Sequence, residues 1–271
     1  MARLAQTGRI VLGAHDASMP LSYRDVSGAH IGYHMDVCLR VVRAIQQRYD
    51  LPLLKVVTVP STLTNRYALL NNKTIDIECG HNVVSASAQR QALLTHATMV
   101  SEVRVMTVIE NKDITLASLG GKTLGLAAGD AAVPIVRALS RASDRKVKEV
   151  FGHQATDTFA LLETGRVDAV AFTMPYMMAQ RALSATPSRY VLIHGMLLTS
   201  PLALMFRLED ENLHALANEV LAKMMKNGEM EKLYNKWFMQ PIPGLPMPVG
   251  VPLPEQLRAW FDTPGSEVMG M

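Results

Sequence analysis

Short apolar runs alternate with segments of helical periodicity in the first third of the chain. Residues 9–14 (RIVLGA), 53–59 and 75–78 are the apolar runs, and each is short enough to be a single strand. Between the first two, residues 35–49 place apolar side chains at helical spacing, with arginine and glutamine on the opposite face. Residues 64–70 form a second helical segment before the third run. This order predicts a parallel sheet with helices on its faces.

The same alternation restarts after a strand-like run over residues 102–110. The elements predicted there are 114–119, 123–127, 129–142, 153–164, 168–173, a helix beginning at Pro175, and 190–193. A strand over 201–207, two helices over 212–226 and 229–238, and an extended tail rich in Pro and Gly over 241–254 follow. We therefore expect an α/β protein of two lobes. Lobe 1 would comprise residues 1–101 and 198–271, lobe 2 residues 102–197, and the two chain crossings would form a hinge.

Composition is typical of a globular protein that binds neither nucleic acid nor a membrane interior. Hydrophobic residues make up 49% and charged residues 19% of the 271 residues. The net charge is +3 and the basic residues are scattered, whereas nucleic-acid binding usually needs a clustered basic face. No apolar run approaches the roughly 20 residues that span a bilayer.

The two cysteines, Cys38 and Cys79, have neither CxxC spacing nor a Cys/His metal cluster beside them. The favoured interpretation is two buried free thiols. A single disulfide is the alternative, and it requires an oxidising compartment.

Several segments, in collinear order over nearly the whole chain, carry a family resemblance. They are RIVLGAHDASMPLSY, GYHMDV, NRYALLNNKTIDIECG, QRQA, LGGKTLGLAAG, TFALLETGRVDAVAF and NGEMEKLYNKWFMQPIP. The chain resembles the type II periplasmic solute-binding proteins of amino-acid ABC transporters, and within them the members that bind aspartate and glutamate. The resemblance implies two α/β lobes that close, like a Venus flytrap, on a small solute in the cleft between them.

The chain departs from this family at positions that bind the amino acid. The arginine that clamps the α-carboxylate falls on Ala88, and Arg90 lies two residues later. The aspartate that holds the α-ammonium falls on Pro175 and Tyr176. Losing the charged partner of a buried ligand group costs about 2–5 kcal/mol. We therefore expect a small anionic carboxylate, either an organic acid or an atypical amino acid, rather than a standard α-amino acid.

Other positions keep groups that suit such a ligand. Arg66 matches an arginine that faces the distal carboxylate in the family, and a guanidinium grips a carboxylate bidentately. An arginine after the first strand becomes His15, and hydroxyl groups in the turn after Gly129 become Asp130 and Ala131. The predicted ligand-binding residues are His15, Tyr23, Arg66, His81, Asn82, Arg90, Gly129, Asp130, Asp157, Thr173 and Tyr176.

The resemblance implies a binding protein rather than an enzyme. We expect no catalytic residues, metal or cofactor, a monomer, and a permease of the inner membrane as partner. No signal peptide is visible, so the chain is either cytoplasmic or a mature periplasmic sequence without its leader, and the resemblance favours the periplasm. A sensing domain and an enzyme resembling cyclohexadienyl dehydratase, with a general acid in the cleft, are the alternatives. A metal receptor using His15, His81 and Asp130 is the least favoured.

Overall fold

The computed structural model describes residues 2–142 and 146–265, which form two compact units. Unit 1 comprises Met1–Val100, Pro201–Gly244 and Gly250–Met271. Unit 2 comprises Ser101–Ser200 and Leu245–Val249. The short second segment of unit 2 comes from the Pro/Gly-rich tail, so the tail contributes to both units.

The strands and helices follow one another with short connections. The strands are β1 (Arg9–Ala14), β2 (Ala17–Ser18), β3 (Ser22–Arg24), β4 (His30–Ile31), β5 (Lys55–Pro60), β6 (Ile77–Glu78), β7 (Leu93–Leu94), β8 (Met99–Val108), β9 (Thr123–Ala127), β10 (Lys148–Gly152), β11 (Ala169–Thr173), β12 (Tyr190–Leu192), β13 (Leu198–Leu202) and β14 (Met205–Phe206). The α-helices are α1 (Ala2–Thr7), α2 (Tyr33–Arg48), α3 (Arg66–Asn71), α4 (Ala86–Gln89), α5 (Ala132–Ala142), α6 (Ala155–Glu163), α7 (Met174–Leu183), α8 (Glu211–Lys226), α9 (Glu229–Phe238) and α10 (Glu255–Asp262). Single 3-10 turns occur at Ile109–Asn111, Leu116–Ser118 and Pro187–Arg189.

Unit 1 is built on a five-stranded sheet in the order β5-β1-β6-β14-β7. Strand β1 is parallel to both β5 and β6, as expected when helix α2 connects β1 to β5 and helix α3 connects β5 to β6. The helical stripe predicted for α2 is its buried face and includes Val37, Val41 and Ile45. A separate three-stranded sheet joins β2, β3 and β4.

Unit 2 is built on a sheet in the order β10-β9-β11-β8-β12, with β13 beside β8. Strands β9, β10 and β11 are parallel, and β8 is antiparallel to β11. All five residues of β11 are buried, which agrees with the continuous apolar sequence of the strand. The carboxyl ends of β9 and β11 therefore lie side by side at one edge.

The sequence pattern was wrong at three places. The single strand predicted over 201–207 is two strands, because Ala203 N donates to Asn82 O and Leu204 N donates to the Thr95 hydroxyl, so the ladder is interrupted. The loop predicted over 16–23 contains β2 and the start of β3, which are too short for a periodic signal. The helix α10 follows the predicted Pro/Gly-rich tail and was not predicted at all. Within the described residues, the helices are all too short or too polar to cross a bilayer.

Cys38 and Cys79 form a disulfide, so the expectation of two free thiols was wrong. Cys38 lies on the buried face of α2 and Cys79 directly follows β6. Both side chains are buried, and the bond joins helix to sheet across a sequence separation of 41 residues. The spacing of two cysteines carries no information on such a tertiary contact, which depends on how α2 packs over β6.

We expect removal of this disulfide to destabilise unit 1 substantially. A disulfide that closes a loop of about 40 residues reduces the entropy of the unfolded chain, and this effect stabilises the fold by roughly 4 kcal/mol. Both tryptophans, Trp237 and Trp260, belong to unit 1, so urea unfolding followed by their fluorescence reports on this unit. The Cys38→Ala/Cys79→Ala variant and the reduced wild type should lose similar amounts of unfolding free energy relative to the oxidised wild type. A reduced wild type as stable as the oxidised protein would contradict this expectation.

Candidate functional site

Unit 1 gathers polar side chains at the carboxyl ends of β1 and β6. His15 directly follows β1, and His81 and Asn82 follow β6 after two intervening residues. Because β1 and β6 are parallel neighbours, their ends meet at one edge of the sheet. This edge is where open α/β sheets bind ligands.

A buried carboxylate, Glu78, lies beneath this edge. The side chain is fully buried, and its Oε1 accepts a hydrogen bond of 2.9 Å from the backbone N–H of Gly80. His15 Nε2 lies 3.4 Å from the same oxygen. Two glycines leave space for the carboxylate, since a Cβ on Gly13 would lie 2.1 Å from Glu78 Oε2 and one on Gly80 would lie 2.6 Å from Oε1.

Glu78 is ionised despite its burial. Burial alone would raise the pKa of the carboxyl group, but the neighbouring His15, the Ser61 hydroxyl and the positive charge of Arg66 outweigh it. The pKa of Glu78 therefore lies below its usual value. The edge thus contains a fixed negative charge that sequence inspection did not identify.

Two buried histidines near Glu78 are neutral. Burial lowers the pKa of His34 to about 4, and its ring bridges the Gly80 carbonyl at 2.7 Å and the Thr98 hydroxyl at 2.8 Å. Burial, reinforced by the positive charge of Arg66, holds the pKa of His81 well below its usual range. Neither ring supplies positive charge at neutral pH.

Arg66 is the buried cation of this edge. It is the first residue of α3, and only 8% of its surface is exposed. One terminal nitrogen, Nη1, donates to the carbonyl of His81. The Nε–H is buried and has no hydrogen-bond partner among the described residues. A buried guanidinium N–H without an acceptor has the chemistry to donate to an anion, and a role for Arg66 in binding stays a prediction.

The other predicted residues of unit 1 lie apart from this group or serve the fold. Tyr23 is buried, donates to the Pro243 carbonyl at 2.7 Å, and packs edge-on against Trp237. Asn82 donates to the carbonyl of Glu78 at 3.1 Å and to that of Ala203 at 3.3 Å. Arg90 is exposed at the end of α4.

Unit 2 presents a second polar edge, at the carboxyl ends of β9 and β11. The turn containing Gly129, which has positive φ, leads from β9 to Asp130. Asp130 Oδ1 accepts from Ala132 N at 2.8 Å, and Oδ2 accepts from the Thr173 hydroxyl at 3.1 Å. Tyr176 is buried in the first turn of α7. Thus three of the predicted residues, Asp130, Thr173 and Tyr176, lie near this edge, and a role for them in binding stays a prediction.

Asp157 is the remaining predicted residue of unit 2. It lies in the first turn of α6 and is exposed. An acidic residue there stabilises the helix N-terminus, so its position has a structural explanation. Within residues 2–142 and 146–265, no group of three or more His, Cys, Asp or Glu side chains is arranged to hold a metal ion.

Sequence reasoning missed Glu78, His34 and Ser18 as members of the unit 1 edge. Ser18 Oγ lies 2.7 Å from His15 Nδ1 and is half-buried. One signal was available: a glutamate inside an apolar strand, followed directly by Cys-Gly, is unusual because buried carboxylates need partners. No comparable signal marked His34, which looks like an ordinary residue of a helix.

Comparison with known proteins identifies the family and the fold of this chain. The family model of bacterial extracellular solute-binding proteins, family 3, matches residues 10–240. The glutamate/aspartate import solute-binding protein of Escherichia coli K12 is 28% identical over 98% of this chain and 88% of its own length. A solved binding protein of an ABC uptake transporter from Streptococcus pneumoniae, with bound histidine, superposes with a TM-score of 0.76 at 18% identity, covering 90% of this chain and 97% of that one.

An ancestral amino acid-binding protein, a precursor of cyclohexadienyl dehydratase, has the same fold. It superposes with a TM-score of 0.74 at 20% identity and covers 87% of this chain and 98% of its own. At such identities the solved structures establish the fold alone. The predicted α/β fold of the type II periplasmic binding proteins is confirmed.

The neutral, buried His34 makes stability depend on pH. An ordinary histidine titrates near 6.5, whereas the pKa of His34 in the fold is about 4. Between these values the unfolded chain binds a proton that the folded chain does not. Stability therefore falls as pH decreases from about 6.5 to about 4, by up to roughly 1.4 kcal/mol per pH unit for this group.

The test compares the pH slope of the unfolding free energy in the wild type and in His34→Gln, using tryptophan fluorescence. Between pH 6.5 and 5, the slope of the unfolding free energy against pH should be smaller in the variant than in the wild type by the contribution of about one proton. This difference does not depend on how stable the variant is at pH 7.5. His153→Gln removes an exposed histidine of unit 2 and serves as the control. An unchanged slope in His34→Gln would contradict the buried neutral state of the ring.

Proposed function

We propose that this chain, which belongs to the bacterial extracellular solute-binding proteins of family 3, is the receptor of an ABC importer for a small carboxylate. The single observation that supports the carboxylate is Arg66, a buried guanidinium at a sheet edge whose Nε–H has no acceptor among the described residues. A carboxylate satisfies this donor and compensates the charge.

The proposed solute is an organic acid or an atypical amino acid. The position that matches the family's carboxylate clamp is the buried Ala88, which has no charge, and Arg90, two residues later, is exposed. The relative from Escherichia coli is named for glutamate and aspartate import. We propose a different solute for this chain because the residue at the position of the carboxylate clamp, Ala88, has no charge.

The extracytoplasmic setting and the permease partner belong to the same proposal. The buried disulfide between Cys38 and Cys79 is consistent with an oxidising compartment. A soluble receptor of this family delivers its solute to a membrane permease, and we propose that this chain acts as a monomer in the periplasm. Osmotic-shock fractionation of the native host, followed by gel filtration of the released protein, tests both points.

A ligand screen tests the specificity. Calorimetric titration of the purified protein with organic acids, L-glutamate, L-aspartate and L-histidine should give heat of binding for an organic acid and none at micromolar concentration for the amino acids. Micromolar binding of L-glutamate would contradict the proposed specificity. It would leave the assignment to a binding-protein family untouched.

Arg66→Ala should reduce the affinity for the carboxylate found in that screen by roughly 30-fold to several thousand-fold. This range corresponds to about 2–5 kcal/mol for removing one partner of a buried charged hydrogen bond. Arg90→Ala removes an exposed arginine of the same unit and is the matched control. Equal effects of the two substitutions would argue against a buried anion site at Arg66.

One observation keeps an enzyme as the second candidate. Glu78 Oε1 and His15 Nε2 lie 3.4 Å apart, so a carboxyl group and an imidazole, the groups most used in acid–base catalysis, are neighbours at the sheet edge, which the sequence alone did not reveal. Incubation of the purified protein with prephenate distinguishes the two functions. Formation of phenylpyruvate would establish a dehydratase activity, whereas reversible binding without turnover supports the receptor.

A further inference from the structure

His34 holds a backbone carbonyl at the unit 1 edge. Its Nδ1 lies 2.7 Å from the carbonyl oxygen of Gly80, and its Nε2 lies 2.8 Å from Oγ1 of Thr98. His34 lies in the first turn of α2, and both it and Thr98 are fully buried. The imidazole therefore bridges the segment that follows β6 and the segment that precedes β8.

The donors and acceptors of this bridge have one consistent assignment at neutral pH. A carbonyl oxygen is an acceptor only, so Nδ1 carries the proton on the contact with Gly80. An ordinary histidine is mostly neutral above pH 7, and burial lowers the pKa of His34 to about 4, so Nε2 has no proton. The proton between Nε2 and Thr98 Oγ1 therefore comes from the threonine hydroxyl.

Thr98 extends the bridge to a further segment of the chain. Its hydroxyl also lies 3.1 Å from the carbonyl oxygen of Leu202, but its single proton is committed to His34. The backbone N–H of Thr98 donates to that carbonyl at 2.8 Å instead. Thr98 lies two residues before Val100, where the first segment of unit 1 ends, and Leu202 is the second residue of the segment that begins at Pro201. The bridge thus joins the edge to both segments that connect unit 1 to unit 2.

The carbonyl that His34 holds is next to the carbonyl that anchors Arg66. Gly80 and His81 are consecutive, and Arg66 Nη1 donates to the carbonyl of His81. The N–H of Gly80 donates to Glu78 Oε1 at 2.9 Å. A rotation of the backbone at Gly80 would therefore displace a donor of the buried carboxylate and the acceptor of the guanidinium together.

We propose that His34 is a positioning residue of the solute site, which fixes the backbone of Gly80 and His81 and joins it to both segments that connect unit 1 to unit 2. This inference rests on the proposed solute-binding function and assigns a further residue to that site. Both ring nitrogens of His34 are occupied by Gly80 and Thr98, so the ring acts on a solute only through its neighbours. The neighbour concerned is Arg66, whose Nη1 is bound to the adjacent carbonyl.

NMR of the ring nitrogens tests the direction of the hydrogen bonds, using the full chain labelled with ¹⁵N-histidine, without ligand, at pH 8, above the ordinary histidine pKa of about 6.5. His34 should carry its proton on Nδ1 alone, and its signals are identified by their loss in His34→Asn. His30 is an internal reference, because its Nε2 lies 2.8 Å from a carboxylate oxygen of Asp16 and should be protonated. A proton on Nε2 of His34 in the wild type would overturn the proposal.

Amide hydrogen exchange tests whether the bridge holds the edge. His34→Leu removes both ring contacts and should accelerate exchange of the Gly80 N–H by roughly 3- to 10-fold, the factor for about one lost hydrogen bond. His34→Asn should restore most of the protection, because the side-chain amide of asparagine can donate to the Gly80 carbonyl. Thr98→Val should accelerate the exchange in the wild type and add nothing in His34→Leu. Additive effects of these two substitutions would overturn the bridge.

Calorimetry with succinate and L-malate measures the consequence for binding. His34→Leu should weaken the affinity by roughly 3- to 10-fold, and His34→Asn should recover most of it. The matched control is His214→Leu, which removes a comparable contact of unit 1, between His214 Nε2 and the carbonyl oxygen of Leu94 at 2.9 Å. The control should lower stability and leave the affinity unchanged. Equal weakening by the two leucine variants would overturn the positioning role.

The ring and exchange measurements need no ligand, so they separate the bridge from the proposed function. If the wild type bound neither acid, the proposed carboxylate specificity would be contradicted. The proton position of His34 and the exchange of the Gly80 N–H would still decide whether the ring holds the edge.

Discussion

The burial of one carboxylate, Glu78, governs the chemistry of the unit 1 edge. Moving an ion of this size out of water costs several kcal/mol, so the surroundings must offset it. The Gly80 N–H, the neighbouring His15 and the charge of Arg66 do so. The absence of side chains at Gly13 and Gly80 is equally necessary, because a Cβ at either position would overlap the carboxylate. The edge is thus a set of groups that are stable only together.

The distribution of charge follows from that constraint. Burial keeps His34 and His81 neutral, and the positive charge of Arg66 works against protonation of His81 as well. The positive charge available to an anion is therefore concentrated on Arg66. Arg90 carries the same formal charge, but it is exposed, where water and salt screen it. The charge of the buried Arg66 is therefore less screened than that of Arg90.

Much of the fold was predictable from local pattern, and the site was predictable only in part. Strands β1 and β9 and helix α9 have the predicted bounds, because each is a periodic or apolar segment with clear polar or glycine boundaries. The positions of His15 and His81 followed from the rule that chain segments after parallel strands meet at one edge.

The remaining features depend on contacts between distant segments. Gly13 and Glu78 are 65 residues apart in sequence, and only the pairing of β1 with β6 reveals that one makes room for the other. The disulfide likewise depends on the packing of α2 over β6. Local periodicity describes single helices and strands. It therefore carries no information on the contact of Gly13 with Glu78 or on the disulfide.

Unit 2 shows why matching residues position by position gives an incomplete account of a site. In the family the ammonium-binding aspartate follows the strand corresponding to β11, and this chain has Pro175 and Tyr176 there. Yet Asp130 Oδ2 accepts a hydrogen bond from Thr173, the last residue of β11, although Asp130 follows β9. Because β9 and β11 are parallel neighbours, a carboxylate from either turn reaches the same edge. A carboxyl group that is lost at the aligned position after β11 is therefore present at the same sheet edge, supplied by the turn after β9.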